Sequence, residues 1–580
     1  MHKDAFQPRG YARALRMAYA VLLLGILFAV AWLQLRSTES LERKSLKEQT
    51  RLVFVPACRG TLAARDGTPL NYSQPSYAIV VRPDLVRDPR DRRAETLNKL
   101  ESVISSLGAA LGPDFYQYRP ERKTILRHLE QQPAMPLTLW DDVDANTRAK
   151  WLSLRKEYPG TELLLSWKRI YAFPDVAPQL RGMTRRQAPP RNALERYWNA
   201  NSLELAGISG MEKALDYLLE GQSGSELLQT DVLSYRNNIL ESRSAIRGDD
   251  CHLALDLPAQ RLAEEFFRKE NLYGAAVALE METGQVLVMA SLPATPLGEK
   301  NMDDISGGMM NRALAAYYPP GSVMKPLFAF YALEHGIATP EMSVVCPGYF
   351  SLTERQRLNC THVHGDLTMP EAIAQSCNTY FCTLAQSFSP EQLDDFAEFF
   401  GFGQKTGHEL AEQEITGIPF TPGWVKTHRE KDKIWHLGDA ANCGIGQGGW
   451  IVTPMQVALA LNFALTGRLL SPSYYLDDEV KIRREATISA ETKKTLLAGM
   501  RGCVTHGTGQ SMKTDRLAIL GKTGTAENGI NQRPHAWMVA AAPAEAPKYL
   551  VVVVVEHGGG GGRVAGPIAR EILLKLCAKQ

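Results

Sequence analysis

A serine three residues before a lysine carries the most legible chemistry in this chain, in the stretch Tyr318-Pro319-Pro320-Gly321-Ser322-Val323-Met324-Lys325-Pro326. Two prolines and a glycine set a turn, and the apolar run Leu327 to Gly336 reads as a buried helix. Ser322 then falls at or near the helix N-terminus, with Lys325 one turn on and on the same face. A serine hydroxyl is a poor nucleophile at neutral pH, but an amine kept unprotonated by burial or by another cation can take its proton. The free N–H groups of the helix start favour the negative charge that develops.

Downstream come Ser376-Cys377-Asn378 and then Lys522-Thr523-Gly524. Ser376 and Asn378 are expected on a loop after a helix that begins near Met369, where a hydroxyl can relay a proton and an amide can hold a peptide group. Read alone, Asn378 is equally a cap for the following helix. Lys522 to Thr525 is expected to end a strand whose edge takes an extended peptide, with Lys522 and Thr523 facing a carboxylate. An isolated Ser-x-x-Lys is weak evidence. The three elements in this order resemble the set shared by penicillin-binding proteins and serine β-lactamases.

Four residues around the second element need a separate reading. Cys346-Pro347-Gly348 is a tight turn, Cys360 and His364 have ligand-like spacing, and Cys377 is the middle of Ser376-Cys377-Asn378. Cys346, Cys360, His364 and Cys377 would close a tetrahedral zinc site with no position for water, hence a structural one. His362 is a reserve ligand. A Cys346 to Cys360 disulfide and buried free thiols are the other readings.

The elements that must position these groups follow from the rest of the chain. At 580 residues with 44% hydrophobic content, there is material for several domains and a large core. A net charge of +2, without a basic stripe, argues against a nucleic-acid partner. Met17 to Leu35 is apolar over a length that crosses a hydrocarbon core of about 30 Å. It reads as a retained anchor rather than a cleaved signal, although Ala29-Val30-Ala31 has a cleavage-like pattern. Basic residues flank it on both sides, so their count does not orient it. Ser37 to Thr50 reads as a helical stalk, Leu52 to Val55 and Tyr77 to Arg82 as strands, and Asp66-Gly67 as a hairpin turn. Asp88 to Tyr158 is mostly helical, Glu162 to Ala172 is strand, and Pro189-Pro190 marks a loop. Ala275 to Glu280, Gly284 to Ala290, Leu517 to Gly521, His535 to Ala541 and Tyr549 to Glu556 read as strands, and Val564 to Lys579 as a closing amphipathic helix.

From about Arg59 onward the chain resembles the elongation-type class B penicillin-binding proteins. Arg59-Gly60-Thr61-Leu62 with Arg65-Asp66-Gly67 looks like the first motif of that family's pedestal, and Gly210-Met211-Glu212-Lys213 like its Gly-x-Glu-Lys motif. Ala64 departs from the pattern by standing where an aspartate is usual, which questions the polar network of that motif. Gly444 to Gly448, Thr453-Pro454 and Glu556-His557-Gly558-Gly559 add to the likeness, whereas Met183 to Leu205 matches nothing.

The resemblance implies an α+β protein with a single N-terminal transmembrane helix. A tail at 1–16, the span at 17–35 and a pedestal at 36–248, with an insertion at about 88–200, would precede a transpeptidase domain at 249–580 whose antiparallel sheet packs against helices. It implies Ser322 as nucleophile, Lys325 as base, and Ser376, Asn378 and Lys522 as further catalytic groups. Thr523, Gly524 and Thr525 would bind substrate, and the backbone N–H groups of Ser322 and Thr525 would form the oxyanion hole. It further implies stem peptides of lipid II-derived glycan strands as substrate, β-lactams as inhibitors, and a RodA-like glycosyltransferase of the SEDS family and MreC as partners. The enzyme would sit in the inner membrane with its catalytic part in the periplasm. A division-type paralogue, a β-lactam sensor and a β-lactamase are the competing expectations. A glutamate-bearing loop of the class A β-lactamase kind is not found after Ser376-Cys377-Asn378; Glu354 to Asn359 is a faint echo placed before it.

Overall fold

The computed structural model describes residues 8–187, 204–298, 308–529 and 532–578. Pro189-Pro190, most of the unmatched run after Met183, and Lys579 lie outside the described residues.

A single helix, α1 (Pro8–Gln49), contains the segment Tyr11–Gln34, which is long and apolar enough to cross a membrane. It passes directly into β1 (Thr50–Val55). The first half of the remaining chain holds two sheets. In one, β1 pairs antiparallel with the strand Gly224–Thr230, which pairs with Arg236–Arg243. In the other, β2 (Leu62–Ala63) pairs with the long β3 (Pro69–Val81), which carries β4 (Leu137–Trp140) and β5 (Thr161–Tyr171). The helices Arg93–Leu111, Arg122–Gln131 and Ala145–Leu154 form the insertion, whose own core includes Leu100, Ile104, Leu129 and Trp151.

The two sequence motifs of this half meet at one carboxylate. Glu212 is fully buried; its Oε2 accepts from Arg59 Nε at 2.7 Å, and its Oε1 from Arg169 Nη2 at 2.7 Å and Asn71 Nδ2 at 2.9 Å. Arg181 Nη2 in turn donates to Asn71 Oδ1 at 2.7 Å. The network thus closes around Glu212 although Ala64 offers no carboxylate. Buried guanidinium groups are tolerated only when paired in this way.

The second half is organised by a five-stranded antiparallel sheet. In chain order its strands are β6 (Gly274–Glu280), β7 (Val286–Leu292), β8 (Leu520–Ala526), β9 (His535–Ala542) and β10 (Tyr549–Val555), in the spatial order β7-β6-β10-β9-β8. Both faces are covered, so the strands read as continuous apolar runs. Ala276, Val551, Val553 and Met538 face a layer with Phe267 and Ile572, while Val277, Val552, Val554 and Trp537 face the large helical core. The helix Leu257–Lys269 and the C-terminal helix Gly561–Cys577 cover the first face. On the other side lie α2 (Lys325–Glu334), α3 (Met369–Ala374), α4 (Asn378–Gln386) and α5 (Pro454–Thr466).

The halves are joined by buried polar contacts. The Ala177 N–H and Gln260 Nε2 both donate to Glu264 Oε1 at 2.8 Å, and Gln179 Nε2 donates to Gly308 O at 2.6 Å. Burial pushes the Glu264 carboxyl up to about 7.

Candidate functional site

Ser322 lies in a 3-10 turn, Gly321–Met324, and not in the helix itself; α2 starts at Lys325. Residues i and i+3 eclipse in such a turn, so Ser322 and Lys325 share a face as the sequence spacing requires. The turn is held by its surroundings. Gly321 N–H donates to Gly446 O at 2.8 Å, Trp537 Nε1–H donates to Pro319 O at 3.1 Å, and Tyr318 bridges to Val452. Tyr318 OH donates to Glu556 at 2.7 Å, which brings together two of the family-like stretches. Gly321 has φ +60°, and a Cβ there would come within 2.9 Å of Thr525 O. The turn therefore lies against β8, an edge strand of the sheet among the described residues.

Lys325 is fully buried. Its Nζ donates to Ser376 O at 2.6 Å and Asn378 Oδ1 at 2.7 Å, with Ser376 Oγ at 3.3 Å. Lys522, also fully buried, donates to Ser376 Oγ at 2.8 Å and to Thr523 O at 2.9 Å. Two lysine side-chain nitrogens thus flank one hydroxyl. Burial, then the neighbouring Lys522 charge, pushes Lys325 down to about 7, and burial pushes Lys522 down to about 8. An amine at that value is available as a proton acceptor at neutral pH.

Ser376 sits between α3 and α4 with φ +59°, a conformation that a non-glycine residue adopts at a cost. Asn378 is neither a loop residue nor a cap. It is the first residue of α4, and Cys377 Sγ caps that helix by accepting from the Tyr380 N–H. Asn378 can therefore aim both ends of its amide: Oδ1 at Lys325, and Nδ2 at Asn359 O, 2.9 Å away.

The strand β8 differs from expectation too. It begins at Leu520 rather than Leu517 and runs through Lys522, Thr523, Gly524 and Thr525, pairing with β9 down to Ala526 opposite His535. Gly524 does not break it, because a Cβ there would lie 2.9 Å from both Trp537 Cβ and Val323 Cγ1, so a side chain is what the position excludes. Thr525 is exposed on the strand, and Thr523 is buried with its hydroxyl 2.5 Å from that of Thr508. Thr508 carries no motif signal and the sequence reading missed it.

The four metal-type residues converge. One ligand atom from each of Cys346, Cys360, His364 and Cys377 lies within 4.8 Å of the others. His364 Nδ1 is 3.5 Å from both Cys346 Sγ and Cys360 Sγ, and Cys360 Sγ is 3.8 Å from Cys377 Sγ. Hydrogen bonding from the Cys377 thiol and from the backbone amides of Thr379 and Asn378 holds Cys360 well below the ordinary thiol range. The reserve ligand His362 lies with its ring 4.0 Å from that of His364 and tilted by 48°, and does not join the set. All nine cysteines are unpaired, so the Cys346 to Cys360 disulfide is not formed.

A buried lysine next to a half-buried serine, on a turn set against an edge strand of an antiparallel sheet, fits a class of serine-dependent acyl-transfer folds. Residues 274–574 match the penicillin-binding protein transpeptidase domain and residues 54–253 the penicillin-binding protein dimerisation domain. The chain belongs to the penicillin-binding proteins, as a transpeptidase of that family. It is 27% identical to peptidoglycan D,D-transpeptidase MrdA of Haemophilus influenzae over 97% of this chain and 91% of that protein. It is 25% identical to peptidoglycan D,D-transpeptidase FtsI of Escherichia coli over 91% of this chain and 84% of that one. The fold is similar to penicillin-binding protein PBP2 in its complex with MreC from Helicobacter pylori, with TM-score 0.75, 25% identity, and coverage of 91% of this chain and 99% of that chain.

Proposed function

We propose that this chain is an elongation-type peptidoglycan D,D-transpeptidase that works through a Ser322 acyl-enzyme. The observation that carries the reading is the convergence of Lys325, Ser376, Asn378 and Lys522 behind the Ser322 turn. In the reading, Lys325 takes the Ser322 proton as Oγ attacks the carbonyl of the penultimate D-alanine. The oxyanion is received by the N–H groups of Ser322 and Thr525; losing one such donor typically costs about 3 kcal/mol of transition-state stabilisation. Ser376 Oγ, between the two amines, passes a proton to the departing D-alanine nitrogen. Asn378 holds the peptide amide, Lys522 and Thr523 the terminal carboxylate, and Gly524 lets the substrate strand lie close along β8. An amine from a neighbouring strand then resolves the ester. Water in its place gives D-Ala-D-Ala carboxypeptidase hydrolysis.

The test is the intact mass of the protein after incubation with penicillin, beside Ser322→Ala. A long-lived adduct in the wild type alone supports the reading. An adduct that clears quickly makes the chain a β-lactamase, and no adduct refutes an acyl-enzyme.

The same reading sets the apolar segment Tyr11–Gln34 as a single-pass inner-membrane anchor with the catalytic half in the periplasm. MreC and a RodA-like glycosyltransferase are the proposed partners, and lipid II-derived glycan strands the substrate. Similarity to both MrdA and FtsI keeps a division role testable: an elongation enzyme localises along the side wall, a division enzyme at the septum.

Structural zinc belongs to the proposal. Cys346, Cys360, Cys377 and His364 Nδ1 fit it as a closed donor set of the right chemistry, with their ligand atoms within 4.8 Å of one another. When bound, zinc supplies structural cross-linking and no reacting water. The chain's own contribution is that Cys377 separates Ser376 from Asn378, so fixing its sulfur fixes both. About one zinc per chain in purified protein, lowered in Cys346→Ser together with a slower acylation, is the expected result. Absence of stoichiometric zinc refutes it.

A further inference from the structure

Each sulfur of the cluster lies within hydrogen-bond distance of a polar group from the first turn of α4. The Asn378 N–H donates to Cys360 Sγ at 3.2 Å, the Tyr380 N–H donates to Cys377 Sγ at 3.4 Å, and the Thr379 hydroxyl lies 3.2 Å from Cys346 Sγ. Three consecutive residues after Cys377 therefore serve the three ligand sulfurs. The first two contacts use the backbone, which any residue except proline supplies. Only the third depends on a side chain.

As a free thiol, Cys346 donates to the Thr379 hydroxyl. A metal-bound thiolate has no proton, so the direction must reverse and the hydroxyl becomes the donor. Three thiolates and a neutral imidazole on a divalent cation leave one net negative charge in a site where Cys346 and Cys377 are fully buried and Thr379 is 5% exposed. Such a charge is retained only where donors meet it. The Thr379 side chain is otherwise uncommitted among the described residues, since the Thr383 hydroxyl bonds its backbone carbonyl instead.

We propose that Thr379 is a metal-positioning residue, whose hydroxyl donates to the Cys346 thiolate and sets how tightly the four-ligand site holds its ion. The inference rests on the zinc reading above. Thr379 then bears on acylation only through the ion, because its hydroxyl faces the sulfur while its neighbour Asn378 faces Lys325.

The experiment uses the full-length chain in detergent, titrated with zinc against a chromophoric chelator. Thr379→Val removes the hydroxyl and nearly keeps the shape, and Thr379→Ser keeps the hydroxyl. Zinc affinity is expected to fall about 10- to 100-fold in Thr379→Val and to stay within about threefold of wild type in Thr379→Ser. In the cobalt-loaded proteins, the thiolate-to-metal charge-transfer band is expected to move to longer wavelength in Thr379→Val, because a sulfur that loses a hydrogen bond releases electron density more readily. Thr379→Ala, checked by far-UV circular dichroism, replaces the valine variant if that one fails to fold. Wild-type affinity and an unmoved band in a folded variant without the hydroxyl overturn this inference and leave the zinc reading intact. A wild type that takes up no zinc overturns both.

Discussion

At the scale of single residues, the site is a problem of two buried amines and one hydroxyl. Lys325 acts as a base only when neutral, so acylation by penicillin should rise with pH through about 7, where its proton is lost. Lys522 should hold a carboxylate only when charged, so the rate should fall again above about 8. The narrow bell that results has two apparent values that belong to the coupled pair. Lys522→Gln tests the coupling. Like charges disfavour each other, so removing one raises the value of the other, and the acid limb should move to higher pH while the basic limb disappears. The second-order acylation rate from pH 5 to 10 is the measurement; an acid limb that stays in place would mean that burial alone depresses Lys325.

At the scale of elements, the turn and the strand must touch without side chains between them. Gly524→Ala places a Cβ 2.9 Å from Val323 Cγ1 and from Trp537 Cβ, which separates β8 from the Ser322 turn. Acylation should fall about 100-fold or more, the scale of a lost oxyanion donor. Gly560→Ala, with nothing within 4 Å of the added atom, is the control and should acylate as wild type does. Equal rates for the two variants would rule out the close approach as a requirement. This is also the scale at which the sequence is partly silent. Ser322, Lys325, Ser376, Asn378 and Lys522 stand out in the sequence because their three short elements, in that order, resemble a known set, and the valine run of β10 because a strand buried on both faces has no polar alternation. Register was not legible: the strand was expected to reach Thr525, but nothing in Leu517 to Thr525 says that it starts only at Leu520 or that Thr523 pairs with Met538 of β9. Nor does composition show that Cys377, a poor cap by type, would start α4, or that Glu212 would gather Arg59, Arg169 and Asn71 from three separate segments. Those assignments depend on contacts distant in sequence.

At the scale of the whole molecule, the two halves meet at a carboxyl, Glu264, that burial pushes up to about 7. A carboxyl held at about 7 when folded and near its ordinary value when unfolded binds an extra proton in the folded state between those values. Stability from this group is therefore full at acid pH and lost as pH rises through about 7. Glu264→Gln should raise the melting temperature by a few degrees at pH 8 and by less at pH 5.5. A variant less stable than wild type at both pH values would show that the charge itself is wanted at the junction. The anchor bears on the molecule in another way. Because α1 enters β1 with no intervening loop, the catalytic half has an angular phase relative to the membrane span as well as a height above it. Each residue added to the helix after Gln34 turns everything beyond it by about 100° and lifts it by about 1.5 Å. An insertion of about seven residues, close to two full turns, should restore the facing and change only the height, whereas about five should leave it pointing away. If the protein must meet neighbours in the plane of the membrane, cell shape should follow the remainder of the insertion modulo a turn rather than its length.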